Sequence, residues 1–166
     1  MTDPAGTPTI YLDIDGVIFS YGHTPPEGTG LTYLPHPEDE GHWYSPEAVG
    51  RINALADRGV RIAWLSSVHD KAEVCQITGL GGEHWDNLEW SRQHQGFQAD
   101  WKLLALAEDL AAHRPADWVW IEDGMLSSLC DLVNPAHLVL PDTMAGITAD
   151  DLDALEARFE GVGSHV

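Results

Sequence analysis

The chain is poor in basic side chains. It has 8 Lys and Arg residues against 27 Asp and Glu residues, which leaves a formal net charge of −19. Proteins that hold nucleic acid by bulk electrostatics neutralise phosphates with Lys and Arg, so this balance disfavours that class of protein. A divalent cation can still bring a small phosphorylated ligand to an acidic cleft. Most of the acidic residues are expected to do no more than keep the protein soluble.

Cysteine and long apolar runs are also scarce. The two cysteines, Cys75 and Cys130, match neither a disulfide framework nor the paired spacing of a zinc site, so both are expected to be reduced core residues. No apolar run approaches the ~18–20 residues that a membrane span needs, and the N-terminus lacks the pattern of a signal peptide. These absences predict a soluble cytoplasmic protein with no membrane partner.

The apolar content is sufficient for one packed domain. The chain has 166 residues, of which 43% are hydrophobic, and this composition disfavours a disordered or fibrous protein. We expect a single domain over residues 1–166. Residues 17–44 are rich in glycine and proline and are predicted to form a flap or long loop, too short for a separate cap domain. Residues 162–166 are expected to be a loose tail.

Short apolar segments alternate with helical patterns along the chain. Strands are predicted at residues 9–12, 60–65, 118–121 and 137–140, with a further short strand suggested within residues 84–90. Helices are predicted from Ser45 to Gly59, over residues 70–78, from Asp100 as N-cap, and after Thr148. This alternation predicts an α/β fold: a doubly wound, Rossmann-like parallel sheet with helices on both faces.

Polar residues follow three of the predicted strands, and a lysine stands at the start of a helix that enters from the same edge. Ligands bind to such sheets at the carboxyl ends of the strands, so these residues are expected to converge there. Taken alone, two acids around an apolar residue are a weak signal and usually cap a strand. The set comprises Asp13, Asp15, Ser66, Lys102, Glu122 and Asp123.

Two other meanings of the first acidic pair do not fit its context. A calcium loop of the EF-hand type would need an oxygen ligand at Val17 and a glutamate at Thr24. A phosphorylatable receiver domain carries its acceptor aspartate on a middle strand, whereas Asp13 follows the first predicted strand. What remains is a site with two acids at the first strand end, then a hydroxyl, a lysine and further acids.

These motifs resemble those of the haloacid dehalogenase (HAD) superfamily of aspartate-nucleophile phosphohydrolases. The first motif of that superfamily, an apolar strand followed by D-x-D-G-[TV], is matched by residues 10–17, and the second, an apolar strand ending in Ser or Thr, by residues 62–66. Lys102 matches the lysine motif, and residues 118–123 match the final acidic motif. The resemblance covers roughly residues 9–140 in the expected order.

The chain is similar in particular to a small bacterial HAD branch that is associated with RNA-repair proteins. The segment Asp-Trp-Lys at residues 100–102 and the segment Trp-Ile-Glu-Asp at residues 120–123 carry this likeness. The chain departs from the branch at Glu122, where an aspartate is usual, and at residues 19–20, where the branch commonly has an asparagine. The resemblance implies a HAD-like fold with a minimal cap.

The resemblance implies a nucleophile, an acid–base group and a metal site. Asp13 would attack phosphorus and become an aspartyl-phosphate, and Asp15 would exchange protons with the leaving oxygen and the attacking water. A Mg²⁺ cofactor would be bound by Asp13, the backbone carbonyl of Asp15 and Asp123, with the Asp15 side chain pointing away from it. Glu122 would be a direct ligand or would hold a metal-bound water.

The phosphoryl oxygens would be bound by the remaining residues of the set. Ser66 and backbone N–H groups near Gly16 are expected to contact them, and Lys102 would both screen the nucleophile and neutralise charge in the transition state. Strand-end capping is an equally good explanation for Ser66 and its neighbour Ser67, although the position of Ser66 favours it as the phosphate contact.

The sequence therefore predicts a Mg²⁺-dependent phosphomonoester hydrolase that acts on a phosphorylated small molecule. A nucleic-acid end phosphatase and a non-catalytic Mg²⁺-binding module of the same fold remain as alternatives. Substrate choice is expected to depend on the flap and on residues 79–99. Trp43, Trp85 and Trp90 are candidate ligand contacts, and His69 and Asp70 either approach the substrate or begin the next helix. The sequence indicates no oligomeric state.

Overall fold

The computed structural model describes residues 6–21, 30–35, 41–89, 101–123 and 131–162. Within these residues the chain forms strands and helices in alternation. The strands are β1 (Thr9–Leu12), β2 (Thr32–Leu34), β3 (His42–Tyr44), β4 (Arg61–Trp64), β5 (Asp86–Asn87), β6 (Trp118–Ile121) and β7 (Leu138–Val139). The helices are α1 (Pro46–Asp57), α2 (Lys71–Thr78), α3 (Trp101–His113) and α4 (Ala149–Arg158).

Five of the strands form one parallel sheet with the order β5-β4-β1-β6-β7. The chain runs outward from β1 through β4 to β5, and then returns to the other side of β1 for β6 and β7. The order therefore reverses between β1 and β6, and ligands bind at such a reversal, outside the carboxyl ends of the strands. The predicted doubly wound α/β sheet is confirmed.

Successive residues of β1 bury their side chains on opposite faces of the sheet, as the two-residue period of a strand requires. Ile10 and Leu12 belong to a core that includes residues of α1 and α4, whereas Tyr11 belongs to a second core with residues of α3. All three are fully buried. Helices therefore cover both faces, as predicted. The packing of α3 on the second face places the start of this helix near the end of β1.

The helix starts follow the capping signals in the sequence. Ser45 accepts a hydrogen bond from the Ala48 N–H at 3.1 Å, and Thr148 forms a capping box with the residue at the third helical position of α4. Asp70 caps α2 by accepting the Glu73 N–H at 2.8 Å, so this acid begins the helix. The predicted cap Asp100 lies outside the described residues.

The segment 17–44 contains strands where the sequence predicted a loop or flap. Strands β2 and β3 pair antiparallel, and Tyr33 packs against Trp43 across the pair with ring centroids 4.8 Å apart. The backbone of Ser20 exchanges hydrogen bonds with that of Trp43, at 2.8 and 3.3 Å, which ties β3 to the turn after β1. The strands have three residues each and are flanked by Gly and Pro, so no alternating pattern long enough to detect arises.

The cysteine prediction is confirmed for Cys75, which is buried and free, whereas Cys130 lies outside the described residues. None of the helices in the described part of the chain has the length and apolar character that crossing a bilayer requires.

Candidate active site

Asp13 is the first residue after the central strand β1, and it is almost completely buried. Its N–H donates to the Ile121 carbonyl at 3.1 Å, which extends the pairing of β1 with β6 beyond the end of the strand. Its Oδ1 accepts the N–H of Ile14 at 2.8 Å. The carboxylate is therefore held in one orientation at the point where the strand order reverses.

The turn after Asp13 needs a glycine for two reasons. Gly16 has a φ of +71°, and a Cβ at this position would lie 2.3 Å from Oδ2 of Asp123. A side chain would be strained by the backbone and would also displace the acid from the neighbouring strand. The N–H of Gly16 already donates to the Phe19 carbonyl at 2.7 Å, so a phosphoryl oxygen at this N–H would have to share that hydrogen bond.

Lys102 joins two of the acids. It is the second residue of α3, and its Nζ donates to Oδ2 of Asp13 and to Oε2 of Glu122, both at 2.8 Å. Burial alone would lower the pKa of Lys102, but the two carboxylates outweigh burial, and the pKa of this amine is raised above its usual value. The ammonium therefore stays charged inside the protein.

Three carboxylates converge on one point. One oxygen each of Asp13, Glu122 and Asp123 lies within 4.8 Å of the others. Burial, followed by the charge of Asp13, raises the pKa of Glu122 to about 8. Asp13 and Glu122 share one ammonium, that of Lys102, and the raised pKa of Glu122 reflects the crowding of acidic groups at this point. An all-oxygen donor set with this charge fits a hard divalent cation such as Mg²⁺.

The Asp15 carboxyl has a different environment from that of Asp13. Burial and the nearby Asp13 carboxylate raise the pKa of Asp15, while the charges of His42 and Lys102 act in the opposite direction. A carboxyl group with a raised pKa holds a proton more readily and can donate it to a leaving oxygen. Within the described residues, the carboxylates that lie close enough together to hold a metal ion are those of Asp13, Glu122 and Asp123, and the Asp15 carboxyl is not among them.

His42 is a neighbour of the site that the sequence analysis did not assign to it. It lies in β3, and its ring stacks on Phe19 at a centroid distance of 5.7 Å and meets Tyr21 edge-on at 5.6 Å. The Coulomb interaction of His42 with Asp15 lowers the pKa of that carboxyl, against the larger effect of burial. The sequence carries no signal for this contact, because it depends on how the β2–β3 pair folds back onto the turn after β1.

Ser66 lies two residues beyond β4, the neighbour of β1, and is buried, whereas Ser67 is exposed. The hydroxyl of Ser66 accepts the Val68 N–H at 3.3 Å, and its carbonyl accepts a hydrogen bond from Nζ of Lys71 at 3.2 Å. Ser66 thus stabilises its own loop and also lies at the carboxyl edge of the sheet, so the structure is compatible with both of its predicted roles.

Lys71 is a second cation that interacts electrostatically with Asp13, and the sequence analysis missed it. Burial lowers the pKa of Lys71, while the carboxylates of Glu89 and Asp13 oppose that shift, so the amine lies within electrostatic range of Asp13. A signal for this residue was present in the sequence. Lys71 is the first residue of a helix, where the helix dipole disfavours a cation, and such a position calls for another explanation.

A central parallel strand that ends in a buried Asp-x-Asp-Gly turn, with a lysine and a second acidic pair beside it, is the arrangement of a HAD-type domain. The chain belongs to this class: the family described as the HAD domain in Swiss Army Knife RNA repair proteins matches it over residues 9–152. The predicted resemblance is confirmed. No curated protein matched the chain. Membership of the family indicates phosphohydrolase-type chemistry.

Proposed function

We propose that this protein is a Mg²⁺-dependent phosphomonoester hydrolase that forms an aspartyl-phosphate on Asp13. The observation that carries the proposal is the environment of that carboxylate. It is buried and fixed by the Ile14 N–H, it is paired with the ammonium of Lys102, and it lies beside two further acids. A carboxylate in this setting is oriented for attack, and its surroundings can receive a metal ion.

The metal would be held by carboxylate oxygens of Asp13 and Asp123 and by the backbone carbonyl of Asp15. Oε2 of Glu122 accepts a hydrogen bond from the Lys102 ammonium. Glu122 would be either a direct ligand of the metal or a contact to a metal-bound water. When bound, Mg²⁺ supplies the positive charge that lets a phosphate dianion approach several carboxylates.

In the first chemical step, an oxygen of Asp13 forms a bond to phosphorus while the bond from phosphorus to the leaving oxygen breaks. Asp15 transfers its proton to that leaving oxygen, and the alcohol departs. In the second step, water attacks phosphorus and gives a proton to Asp15, while the bond between phosphorus and Asp13 breaks. Inorganic phosphate leaves, and both carboxyl groups return to their starting states.

Three groups are positioned to bind the phosphoryl oxygens during these steps. Lys102 offers a fixed positive charge next to the nucleophile, and the hydroxyl of Ser66 lies at the end of the neighbouring strand. The N–H groups of the turn around Gly16 complete the set by rearranging their present bonds. The Lys102 ammonium is already held by Asp13 and Glu122, and a donor that is fixed before the reaction stabilises developing charge without a reorganisation cost.

A nucleic-acid end phosphatase is the second candidate, because the matching family is described as a domain of RNA repair proteins. The charge of −19 opposes it, since each backbone phosphate in contact with the protein would need a compensating cation. The dependence of affinity and turnover on salt concentration distinguishes the two candidates. An end phosphatase that holds several backbone phosphates loses affinity steeply as salt rises, whereas the turnover of a small phosphorylated metabolite responds weakly.

The test of the proposed function is a phosphatase screen with Mg²⁺ across sugar phosphates, nucleotides and oligonucleotides phosphorylated at the 3′ or 5′ end. The Asp13→Asn variant serves as control, because it removes the nucleophile with little change in shape. We expect activity on a small phosphomonoester that the variant lacks. Equal activity of both proteins would show a contaminating phosphatase, and Mg²⁺ binding without any activity would show a binding module.

A further inference from the structure

A cleft of about 510 Å³ opens beside β4 and β5, and β4 is the neighbour of β1 in the sheet. Its wall includes Trp64, His69, Lys71, Gly82, Trp85 and Asn87. Its volume lies within the roughly 300–1,000 Å³ that is usual for small-molecule sites. None of these side chains takes part in the chemical steps of the proposed hydrolysis, so the cleft calls for a separate explanation.

The aromatic wall of the cleft is fixed before any ligand arrives. The indole Nε1 of Trp64 donates to the Gly82 carbonyl at 3.0 Å, and the rings of Trp64 and Trp85 pack with centroids 5.1 Å apart. A Cβ on Gly82 would lie 2.4 Å from Trp64 and 2.8 Å from Trp85, so only glycine lets the two indoles meet at this point. A flat ring that binds here loses little entropy in ordering the protein.

The cleft is connected to the site through Lys71. This residue lines the cleft and donates to the carbonyl of Ser66. Trp64, which also lines the cleft, is in register with Leu12, the residue before Asp13. Asn87 belongs to the short strand β5, which pairs with β4 at its carboxyl end. The organic part of a phosphate ester bound at Asp13 would therefore extend over the end of β4 into the cleft.

Polar groups accompany the aromatic surface. His69 and Asn87 are exposed, and the cleft also contains the acids Asp70 and Glu83. The Asn87 amide nitrogen donates to Oε1 of Glu89 at 2.6 Å, so a ligand would meet its second N–H and its carbonyl oxygen. A second phosphate would meet these acids, so the cleft favours an uncharged ligand. A planar heteroaromatic ring with hydrogen-bonding edges would stack on the Trp85 side and meet the amide and imidazole at its rim.

We propose that this cleft binds the leaving group of the substrate and that the leaving group is a nucleoside, with its base against Trp85. The inference rests on the proposed phosphatase function, because it takes the bound phosphate at Asp13 as the other end of the ligand. It adds a substrate class and a residue that determines specificity. Stacking of one base on an aromatic side chain is worth about 1–3 kcal/mol, which corresponds to about 5- to 150-fold in affinity.

The test compares adenosine 5′-monophosphate with ribose 5-phosphate, which carries the same phosphorylated sugar without the base. Affinities are measured calorimetrically with Mg²⁺ in the Asp13→Asn background, so that no turnover interferes. We expect the nucleotide to bind at least about 5-fold more tightly. Adding Trp85→Leu should remove this preference for the nucleotide and leave the affinity for ribose 5-phosphate unchanged. Trp85→Phe, which keeps an aromatic ring, should keep most of the preference.

Trp43→Leu is the matched control, because it changes another half-buried tryptophan, and it should leave the preference for the nucleotide intact.

The packing of Trp85 on Trp64 makes a second set of variants necessary. His69→Ala and Asn87→Ala change exposed side chains and are expected to fold normally. Each should reduce the preference for the nucleotide a few-fold. If Trp85→Leu unfolds the protein, as judged by circular dichroism, these two variants decide the question by themselves: an unchanged preference in both would overturn the assignment.

Several results would contradict the inference. They are no measurable binding of the nucleotide, equal affinity for the two ligands, an equal loss for both in Trp85→Leu, or loss of the preference in Trp43→Leu. The wild-type protein separates this failure from failure of the proposed function. Hydrolysis of both phosphates without a Trp85-dependent preference would leave the phosphatase and remove the nucleoside cleft. Trp85-dependent binding without hydrolysis would support the nucleoside cleft and contradict the proposed phosphatase function.

Discussion

Asp13 and Lys102 are 89 residues apart in the sequence, yet Nζ of Lys102 lies 2.8 Å from Oδ2 of Asp13. The same ammonium lies 2.8 Å from Oε2 of Glu122. One cation therefore links the ends of two neighbouring strands, β1 and β6, to the start of α3. The relationship explains why three distant motifs form one site, and it makes the lysine the first residue to test.

Replacing this lysine should reduce turnover far more than it perturbs the fold. Removing one fixed donor from a developing oxyanion costs about 10²–10³ in kcat, and Lys102→Met also removes the charge that screens Asp13. The thermal midpoint should fall, because two buried acids lose their partner. Steady-state kinetics and thermal unfolding measure the two effects. Lys102→Arg, which keeps the charge, should retain more stability, and a fully active Lys102→Met would exclude the proposed role.

Gly16 and Gly79 form a matched pair for testing the turn after Asp13. Both have positive φ, +71° and +80°, but a Cβ at Gly16 would lie 2.3 Å from Asp123 whereas Gly79 has open space around it. Gly79→Ala should therefore lose about 1 kcal/mol of stability and no activity. Gly16→Ala should lose activity and Mg²⁺ affinity as well. Equal effects on activity in the two variants would contradict the close approach of Asp123.

The acid cluster should make the stability of the protein depend on Mg²⁺. Binding to the folded state stabilises it by about 2.7 kcal/mol at a ligand concentration 100 times the dissociation constant. Thermal unfolding with Mg²⁺ and with excess chelator measures the shift. We expect Asp123→Asn to reduce it strongly, and Asp150→Asn, a change at an exposed acid on α4, to leave it unaltered. A shift of equal size in both variants would indicate nonspecific screening.

Asp109, a buried acid outside the candidate site, leads to a prediction about pH and stability. Tyr11 donates to Asp109 at 2.7 Å, and Arg61 donates to both of its oxygens at 2.7 and 2.9 Å. Burial would raise the pKa of Asp109, but these bonds and the Arg61 charge outweigh burial and lower it below 3.8. The stabilisation is therefore complete above pH 3.8 and is lost as pH falls through the lowered pKa.

The measurement for Asp109 is denaturant unfolding of wild type and Asp109→Asn across pH. At neutral pH we expect the variant to be less stable by about 1–3 kcal/mol, because its hydrogen bonds lose the charge that strengthens them. The difference should shrink only below pH 3.8, where the wild-type carboxylate takes up its proton. A difference that is constant down to the acid transition would show that the Asp109 charge contributes nothing.

Sequence patterns were sufficient for the central sheet and for most of the site. Buried strands with β-prone residues and capped helices are local features, and the alternation of the two dictates where strand ends meet. The contacts between distant segments were not accessible. His42 interacts electrostatically with Asp15 only because β2 and β3 pair and fold back onto the turn after β1. Strands of three residues are too short for their two-residue period to be detected in the sequence.

The meaning of single residues also depended on the fold. Asp70 was predicted either to approach the substrate or to begin the next helix; it caps α2 by accepting the Glu73 N–H, and it also lines the cleft beside β4. Lys71, next to it, was not predicted as a site residue, although it interacts electrostatically with Asp13. Trp90, a candidate ligand contact from the sequence, lies outside the described residues and stays a prediction.

The most direct test of the account is to trap the covalent intermediate on Asp13. p-Nitrophenyl phosphate suits the experiment, because its leaving group needs no proton, so Asp15→Asn should still be phosphorylated and should then fail to activate water. After an acid quench, mass spectrometry should find one phosphoryl group on the peptide that contains Asp13, more in Asp15→Asn than in wild type, and none in Asp13→Asn. Two results would contradict the account, each in the presence of Mg²⁺-dependent turnover. One is a phosphoryl group on another residue, and the other is the absence of a phosphoryl group on Asp13 in both wild type and Asp15→Asn.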